Sequence, residues 1–306
     1  MVNSRRRLGI GIGVPRPSLQ PRGFEDVLDL VVLAEELGFA EVAIGEHLLI
    51  SENLDPAKGR YRWPLDAAWP EPFLVLAAIA SRTRRIRLVT DVVIAPLRPA
   101  VVLAKLAATL DMLSGGRFEL GVGSGWQEHE YVAVGVPFEG RVRRMEEAIQ
   151  ACRALWGGGR AAFKSDTVAF EGAWSSPFPV QPGGPPVFIA GGASEAVANR
   201  VARLGDGWTT VPRPDEEIAR GIELCRQAFA AAGRDPDTLL VRLNAWNNRE
   251  ALAEPDLGAV LTKVERYWEL GVTNVNLIVA DLAGTPAEAE AVFRHAAGHF
   301  RLGDRA

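Results

Sequence analysis

The sequence predicts a (β/α)8 barrel, and three observations carry that expectation. Eight strand-like apolar runs alternate with eight helical patterns along the chain. The runs read as buried on both faces and are separated by helices, which marks a parallel sheet. No break in composition separates the units across the 306 residues, so we expect a single domain over 1–306. A doubly wound open sheet is the main alternative, but its strand number is usually smaller. "GIGIGV" also lacks the third glycine of a dinucleotide fingerprint and the helix that should open there.

The elements follow in order. "LGIGIGV" (8–14) opens the chain as the first strand. "FEDVLDLVVLAEELG" follows, with Val27, Leu30, Val31, Ala34 and Leu37 at helical spacing and Gly38 as the stop. "EVAIGEH" (41–47) and "IRLVTDVVI" (86–94) give strands two and three, with helices over 72–82 and 99–113. "RFELGVGSG" (117–125) is strand four, followed by a helix over 138–156. "PVFIAGG" (186–192) runs into Ser194, a helix cap, with Glu195 in the first turn of a helix over 194–204. "GWTTV" (207–211), "LLVRLNAW" (239–246) and "VNLIV" (275–279) complete the strands, with helices over 215–232, 257–270 and 286–300.

Two connections are long: 48–71 after strand two, and 157–185 before strand five with a hairpin expected in "VAFEGAWSS". Loops of that length in a compact domain are usually lids or binding loops. Both carry aromatics (Tyr61, Trp63, Trp69, Phe170, Trp174), which favours lids.

Composition narrows the class. A formal charge of −4 gives no global field for nucleic acid. Cys152 and Cys225 lie in helical stretches and read as core thiols of a cytoplasmic protein. The start places arginines before an apolar run, but Leu8 to Val14 is too short for a signal core, and Pro15 and Pro17 cut it off. No run approaches the roughly 20 apolar residues of a membrane span.

Active sites of such barrels sit at the C-terminal strand ends. Those ends carry Glu46-His47, Thr90-Asp91, Ser124-Gly125-Trp126, Ala190-Gly191-Gly192 and Asn244-Trp246. "RFELGVGSGWQEHEYVAVG" thus delivers Trp126, His129 and Glu130 toward a shared cavity just after a Gly-Ser-Gly turn. His47 is the candidate for handling protons; the alternative is a core histidine bonded to a backbone carbonyl. Asp91 interrupts an apolar strand, so it has a donor or lines a polar cavity. Gly191-Gly192 before a capped helix reads either as a phosphate site or as a plain turn. His295 and His299 are four apart but lack the glutamate of a zinc motif, and no metal site is expected.

Two blocks, "AKLAATLDMLSGGRFELGVGSGWQEHEYVAVGVPFEGRVRRMEEAI" and "PPVFIAGGASEAVANRVARLGDGW", resemble the bacterial luciferase-like oxidoreductases, more narrowly the branch using the deazaflavin coenzyme F420. The resemblance runs from the first strand to about residue 280. It implies a barrel with an insertion before strand five, often a homodimer, holding a flavin or deazaflavin ring across the strand ends. It further implies a non-prolyl cis bond at Asp91–Val92 supporting the ring, and His47 beside the reactive ring with Glu46 before it. Ser124, Gly125, Trp126 and His129 are implied as ring contacts, and Ala190, Gly191, Gly192 and Ala193 as contacts of the phosphate tail.

Departures accompany the resemblance. Trp126 stands where a deazaflavin sugar dehydrogenase type has a glutamate general acid, so Trp126 is expected to shape the pocket instead. Glu46-His47 replaces the usual Asp-His pair, and Glu130 is expected to pair with Arg141 or Arg144. The function expected is hydride transfer between coenzyme F420 and a small organic substrate, apolar or planar. The alternatives are an FMN-dependent monooxygenase using O2 and a non-catalytic flavin-binding protein. An Ala- and Arg-rich composition, typical of high-GC genomes where the deazaflavin is common, favours the first. A phosphosugar lyase would need a lysine or a carboxylate pair at a strand end, whereas Lys58, Lys105, Lys164 and Lys263 fall in loops or helices. Arg60 and Arg62 are the one basic pair suited to a phosphate.

Overall fold

A computed structural model describes residues 6–12, 19, 22–54, 61, 63, 65–245 and 256–305. Among the described residues ten strands form: β1 (Arg7–Gly11), β2 (Glu41–Ile44), β3 (Arg87–Ile94), β4 (Phe118–Gly123), β5 (Ala161–Lys164), β6 (Ala169–Ala173), β7 (Val187–Ala190), β8 (Gly207–Thr210), β9 (Leu240–Ala245) and β10 (Asn274–Ile278). The helices are α1 (Phe24–Glu36), α2 (Pro72–Arg82), α3 (Ala100–Ser114), α4 (Glu128–Ala133), α5 (Arg141–Trp156), α6 (Glu195–Leu204), α7 (Asp215–Ala231), α8 (Leu257–Leu270), α9 (Val279–Leu282) and α10 (Pro286–Phe300). Eight strands close a barrel in the order β1-β10-β9-β8-β7-β4-β3-β2. Every pairing in it is parallel. The (β/α)8 expectation therefore holds, with insertions after β2 and before β7.

Local chemistry sets the helix ends. Glu71 accepts the Leu74 N–H and Pro72 fills the first position of α2. Ser194 accepts the Val197 N–H at α6, as expected, and Asp256 and Thr285 cap α8 and α10 in the same way. Between barrel and helices, alternate strand residues such as Ile10, Val42, Leu243 and Leu277 are buried in one apolar core. Trp208 belongs to that layer and lies against Gly221 of α7, where a Cβ would sit 2.3 Å from its ring.

The barrel interior is filled differently. Fully buried Arg242 donates through Nε to Glu41 (2.8 Å) and through Nη2 to Glu119, and its guanidinium lies 3.7 Å from the centre of the Phe188 ring. Glu119 also accepts from Arg7 (3.0 Å) and Arg87, while Asn274 donates to Glu41 at 2.5 Å. These groups sit near the N-terminal ends of their strands and plug the barrel from below. Gly9 leaves room for the plug: a Cβ there would lie 2.2 Å from Asn276 Oδ1 and 2.4 Å from Glu41 Cγ.

Several expectations are corrected. Strand two ends at Ile44, so Gly45, Glu46 and His47 lie beyond it. A separate α4, 128–133, precedes the helix expected over 138–156, which begins at Arg141. The hairpin is not contained in "VAFEGAWSS": β6 pairs antiparallel with the upstream β5, and Lys164 is a strand residue. Apolar Phe163 and Phe170 pull both strands onto Ala100, Ala148 and Ala151. Pro15, Pro17, Lys58, Arg60, Arg62 and Trp246 lie outside the described residues. Cys152 and Cys225 are buried and unbridged, and burial pushes both thiols up to about 12. Among the described residues no helix is long and apolar enough to cross a membrane.

Replacing Arg242 with Met leaves Glu41 and Glu119 buried without their shared counter-charge. A loss of about 3–5 kcal/mol is expected for breaking a buried pair in this way. Urea denaturation followed by circular dichroism measures it, and a loss below about 1 kcal/mol would show that the carboxylates find other partners or water.

Candidate active site

A cavity of about 500 Å³ opens at the C-terminal ends of the barrel strands. Its wall is built from the segments that follow β2, β4, β7 and β8, together with β3 and β9. Of the residues singled out in the sequence, Glu46, His47, Asp91, Val92, Ser124, Gly125, Trp126, Ala190, Gly191 and Gly192 line it. Thr90 and Glu130 are buried outside the lining, His129 is exposed on α4, and Ala193 packs against the apolar core.

His47 occupies one side. Its Nδ1 lies 3.3 Å from both carboxylate oxygens of Glu130, a residue with no exposed surface, and Oε1 of Glu130 also accepts the Leu48 N–H at 2.8 Å. Three rings meet the imidazole at nearly right angles: Trp69 at 4.8 Å between centroids, Trp126 at 5.9 Å and Tyr61 at 6.0 Å. Trp69 Nε1 donates to the Tyr61 hydroxyl (2.9 Å), and Trp63 closes against Trp69 at 5.3 Å. Gln127 clamps the start of this segment, accepting the Ser51 N–H and donating to the Leu49 carbonyl.

The expected pairing of Glu130 with Arg141 or Arg144 is thus overturned. Arg141 donates to the Gly125 carbonyl and stacks 3.9 Å from the centre of the Phe138 ring, and Arg144 donates to the Glu139 carbonyl. The short α4 turns Glu130 inward instead. Tyr131, beside it, donates its hydroxyl to the Ser124 carbonyl, and burial holds that phenol well above its usual value and so protonated. Gly125 must be glycine: its φ is +66°, and a Cβ would press on Ile94 Cγ2 at 2.8 Å.

Glu46 is turned to the end of β3. Its carboxylate accepts the Ile94 N–H (2.6 Å) and the Arg98 guanidinium, which fixes the end of β3. On the floor, Thr209 and Asn244 each donate to one Asp91 oxygen at 2.9 Å. The Asp91–Val92 bond is cis, and the β3–β4 register shifts there. Burial raises the Asp91 carboxyl, opposed by Arg242 and by the Thr209 and Asn244 hydrogen bonds.

The opposite side is glycine-rich and carries a cation. The Gly191 N–H is taken by the Thr209 carbonyl (3.2 Å), while Gly192 faces Arg213, 3.5 Å from where a Cβ would stand. Arg213 also contacts Glu217 at 3.2 Å. Thr209 and Arg213, at and beyond the end of β8, are absent from the sequence expectation, although the same strand-end rule reaches them. The second insertion does not serve as a lid here. Phe170 and Trp174 line a separate groove with Val101, Leu106 and Leu155, and no described residue of 157–185 lines the cavity. Among the described residues no group of three or more His, Cys, Asp or Glu could hold a metal ion.

A closed parallel barrel with a cavity built from its C-terminal strand ends is the layout in which barrel enzymes place their active sites. Residues 9–298 match the luciferase-like monooxygenase family, and the chain belongs to it. It is 36% identical to an uncharacterized protein of Mycobacterium tuberculosis over 84% of this chain and 88% of that one. It is 33% identical to an F420-dependent glucose-6-phosphate dehydrogenase of Nocardia farcinica over 73% of this chain, and the match spans 65% of that protein's length. The fold matches the crystal structure of monooxygenase RslO1 from Streptomyces bottropensis with a TM-score of 0.74 at 23% identity, covering 96% of this chain and 98% of that one. The chain is accordingly an oxidoreductase.

Because the folded state holds the Asp91 proton more tightly than the unfolded chain, the contribution of Asp91 to stability falls as pH rises from the ordinary value near 3.8 through the raised one. Asp91→Asn removes this dependence, and Asn244 can turn to meet the new amide with an Oδ1 that has no hydrogen-bond partner. The variant should gain melting temperature over wild type near neutral pH and lose that advantage as pH falls below the raised value. Thermal melts across pH measure the crossover, and a constant difference at every pH would refute it.

Proposed function

We propose that the protein binds the deazaflavin coenzyme F420 and transfers a hydride between it and a small apolar or planar organic molecule. One observation carries the reading: a histidine oriented by a buried carboxylate stands in the cavity wall across from the glycine- and arginine-bearing end. The relation to an F420-dependent dehydrogenase over 73% of the chain supports the deazaflavin.

The residues present fit such a group. Gly123, in the cavity wall, makes room for the Val92 side chain, since a Cβ there would stand 2.9 Å from Val92 Cγ2. Val92 and Ser124–Trp126 would hold the ring, and Gly192 with Arg213 would hold the charged tail. When bound, the deazaflavin supplies a carbon that accepts or delivers a hydride. The protein's part is to orient and to handle protons. His47 holds or takes a proton at the substrate through the nitrogen not turned to Glu130. Tyr61, Trp63, Trp69 and Trp126 exclude water and favour a flat or apolar molecule. An apolar face on α3, with Val101, Val102, Met112 and Leu113 all exposed, supports pairing of two copies.

Titrating the purified chain with oxidised F420 and, separately, with FMN tests the reading by fluorescence quenching. Tight binding of the deazaflavin alone is expected; preference for FMN would replace the proposal with an oxygen-using monooxygenase. His47→Asn should lower turnover on the order of 10²-fold or more while leaving cofactor affinity nearly unchanged. Arg213→Ala should do the reverse, weakening the phosphorylated cofactor with less effect on turnover at saturation.

A further inference from the structure

We infer that Glu130 is the positioning residue for His47, holding a proton on Nδ1 and so presenting Nε2 to the cavity as an acceptor. The inference rests on the reading of His47 as the proton-handling group of this site. Three observations carry it. Both Glu130 oxygens stand at the same 3.3 Å from Nδ1, and an ionised carboxylate can only accept. The Glu130 side chain has no exposed surface and a second anchor, the Leu48 N–H at 2.8 Å, so it cannot swing away without losing both contacts. The imidazole cannot readily turn either, because Trp69, Trp126 and Tyr61 pack edge-to-face around it.

The remaining nitrogen faces a different setting. His47 lines the cavity, and among the described residues nothing hydrogen-bonds its Nε2. Other charged or titratable groups around the cavity are engaged elsewhere. Glu46 is turned to Arg98, Asp91 is held by Thr209 and Asn244, Arg213 contacts Glu217, and the Tyr61 hydroxyl accepts from Trp69. Glu130 is therefore the group that decides which tautomer the imidazole adopts, and with it which atom meets a substrate. The general logic is that a hydrogen bond at one ring nitrogen fixes the proton and raises the basicity of the other.

The test reads the tautomer directly. The chain has four histidines, so ¹⁵N-histidine labelling of the full chain gives a resolvable spectrum, with His47 assigned by its loss in His47→Asn. The neutral His47 ring should carry its proton on Nδ1 in the wild type. In Glu130→Gln the amide nitrogen can donate to Nδ1, so the proton should move toward Nε2, and Glu130→Ala should give a mixture. With substrate in hand, Glu130→Gln should lower kcat roughly 10- to 100-fold with KM little changed. A wild-type His47 protonated on Nε2 would overturn the inference even if both variants failed to fold. An unchanged tautomer in a folded Glu130→Gln would overturn it too. The spectrum needs no cofactor: failure of the F420 and FMN titrations beside an Nδ1–H tautomer would remove the cofactor reading and leave the pair standing.

Discussion

The charged plug at the bottom of the barrel is the constraint on which the rest depends. Arg242 on β9 reaches Glu41 on β2 and Glu119 on β4, Glu119 reaches Arg7 on β1 and Arg87 on β3, and Asn274 on β10 joins Glu41. Six of the eight barrel strands are thereby joined by side chains that point inward. Such a cluster is weak evidence for net stability, because desolvating its charges costs several kcal/mol per ion. Its stronger effect is on register. Side chains alternate along a strand, so a slip of one residue would turn Arg242 or Glu41 out against the apolar helices. The height of every strand end above the plug follows from that register.

The plug also explains why the interior carries so many small residues. Phe188 backs the Arg242 guanidinium, and it fits because Gly207 offers no Cβ, which would stand 2.6 Å from its ring. Gly9 gives way to Asn276 and Glu41 in the same manner. Above this layer the charge of Arg242 opposes the upward push that burial exerts on Asp91. The floor of the cavity is thus electrostatically tied to the base of the barrel, and Asn244 and Thr209 are the side chains that hold Asp91 in place.

What could be read from sequence follows the range of the physics involved. Alternation of apolar runs is local, so the barrel and its helix caps at Ser194 and Gly38 were legible. The strand-end rule converts position into geometry, which is how His47, Asp91 and the Ser124–Trp126 turn were found. Glu130 was singled out, but its partner was not legible, because His47 lies 83 residues away and no spacing encodes that meeting. Arg141 and Arg144, near in sequence, were the local guess. The second insertion misled for a related reason: Phe170 and Trp174 are aromatic, as lid residues are, but Phe170 packs on alanines of α3 and α5, and Trp174 stays exposed on a groove away from the cavity.

The two sides of the cavity come from different parts of the chain, and this division bears on how function can vary. The glycines, Arg213, Asp91 and Asn244 sit on or just beyond strands whose heights the plug fixes. Tyr61, Trp63 and Trp69 belong to the segment after β2, anchored by Gln127 at one end and by the Glu71 cap of α2 at the other. Between those anchors side chains can change without disturbing a barrel register, although Tyr61 and Trp69 also pack against the His47 ring. On the proposed reading, substrate preference can therefore diverge through this one segment while the charged end, set by the barrel, stays as it is. On that reading, kinship with a sugar-phosphate dehydrogenase would carry the cofactor further than the substrate, because the end proposed to hold the cofactor rests on the barrel and the aromatic wall rests on a loop.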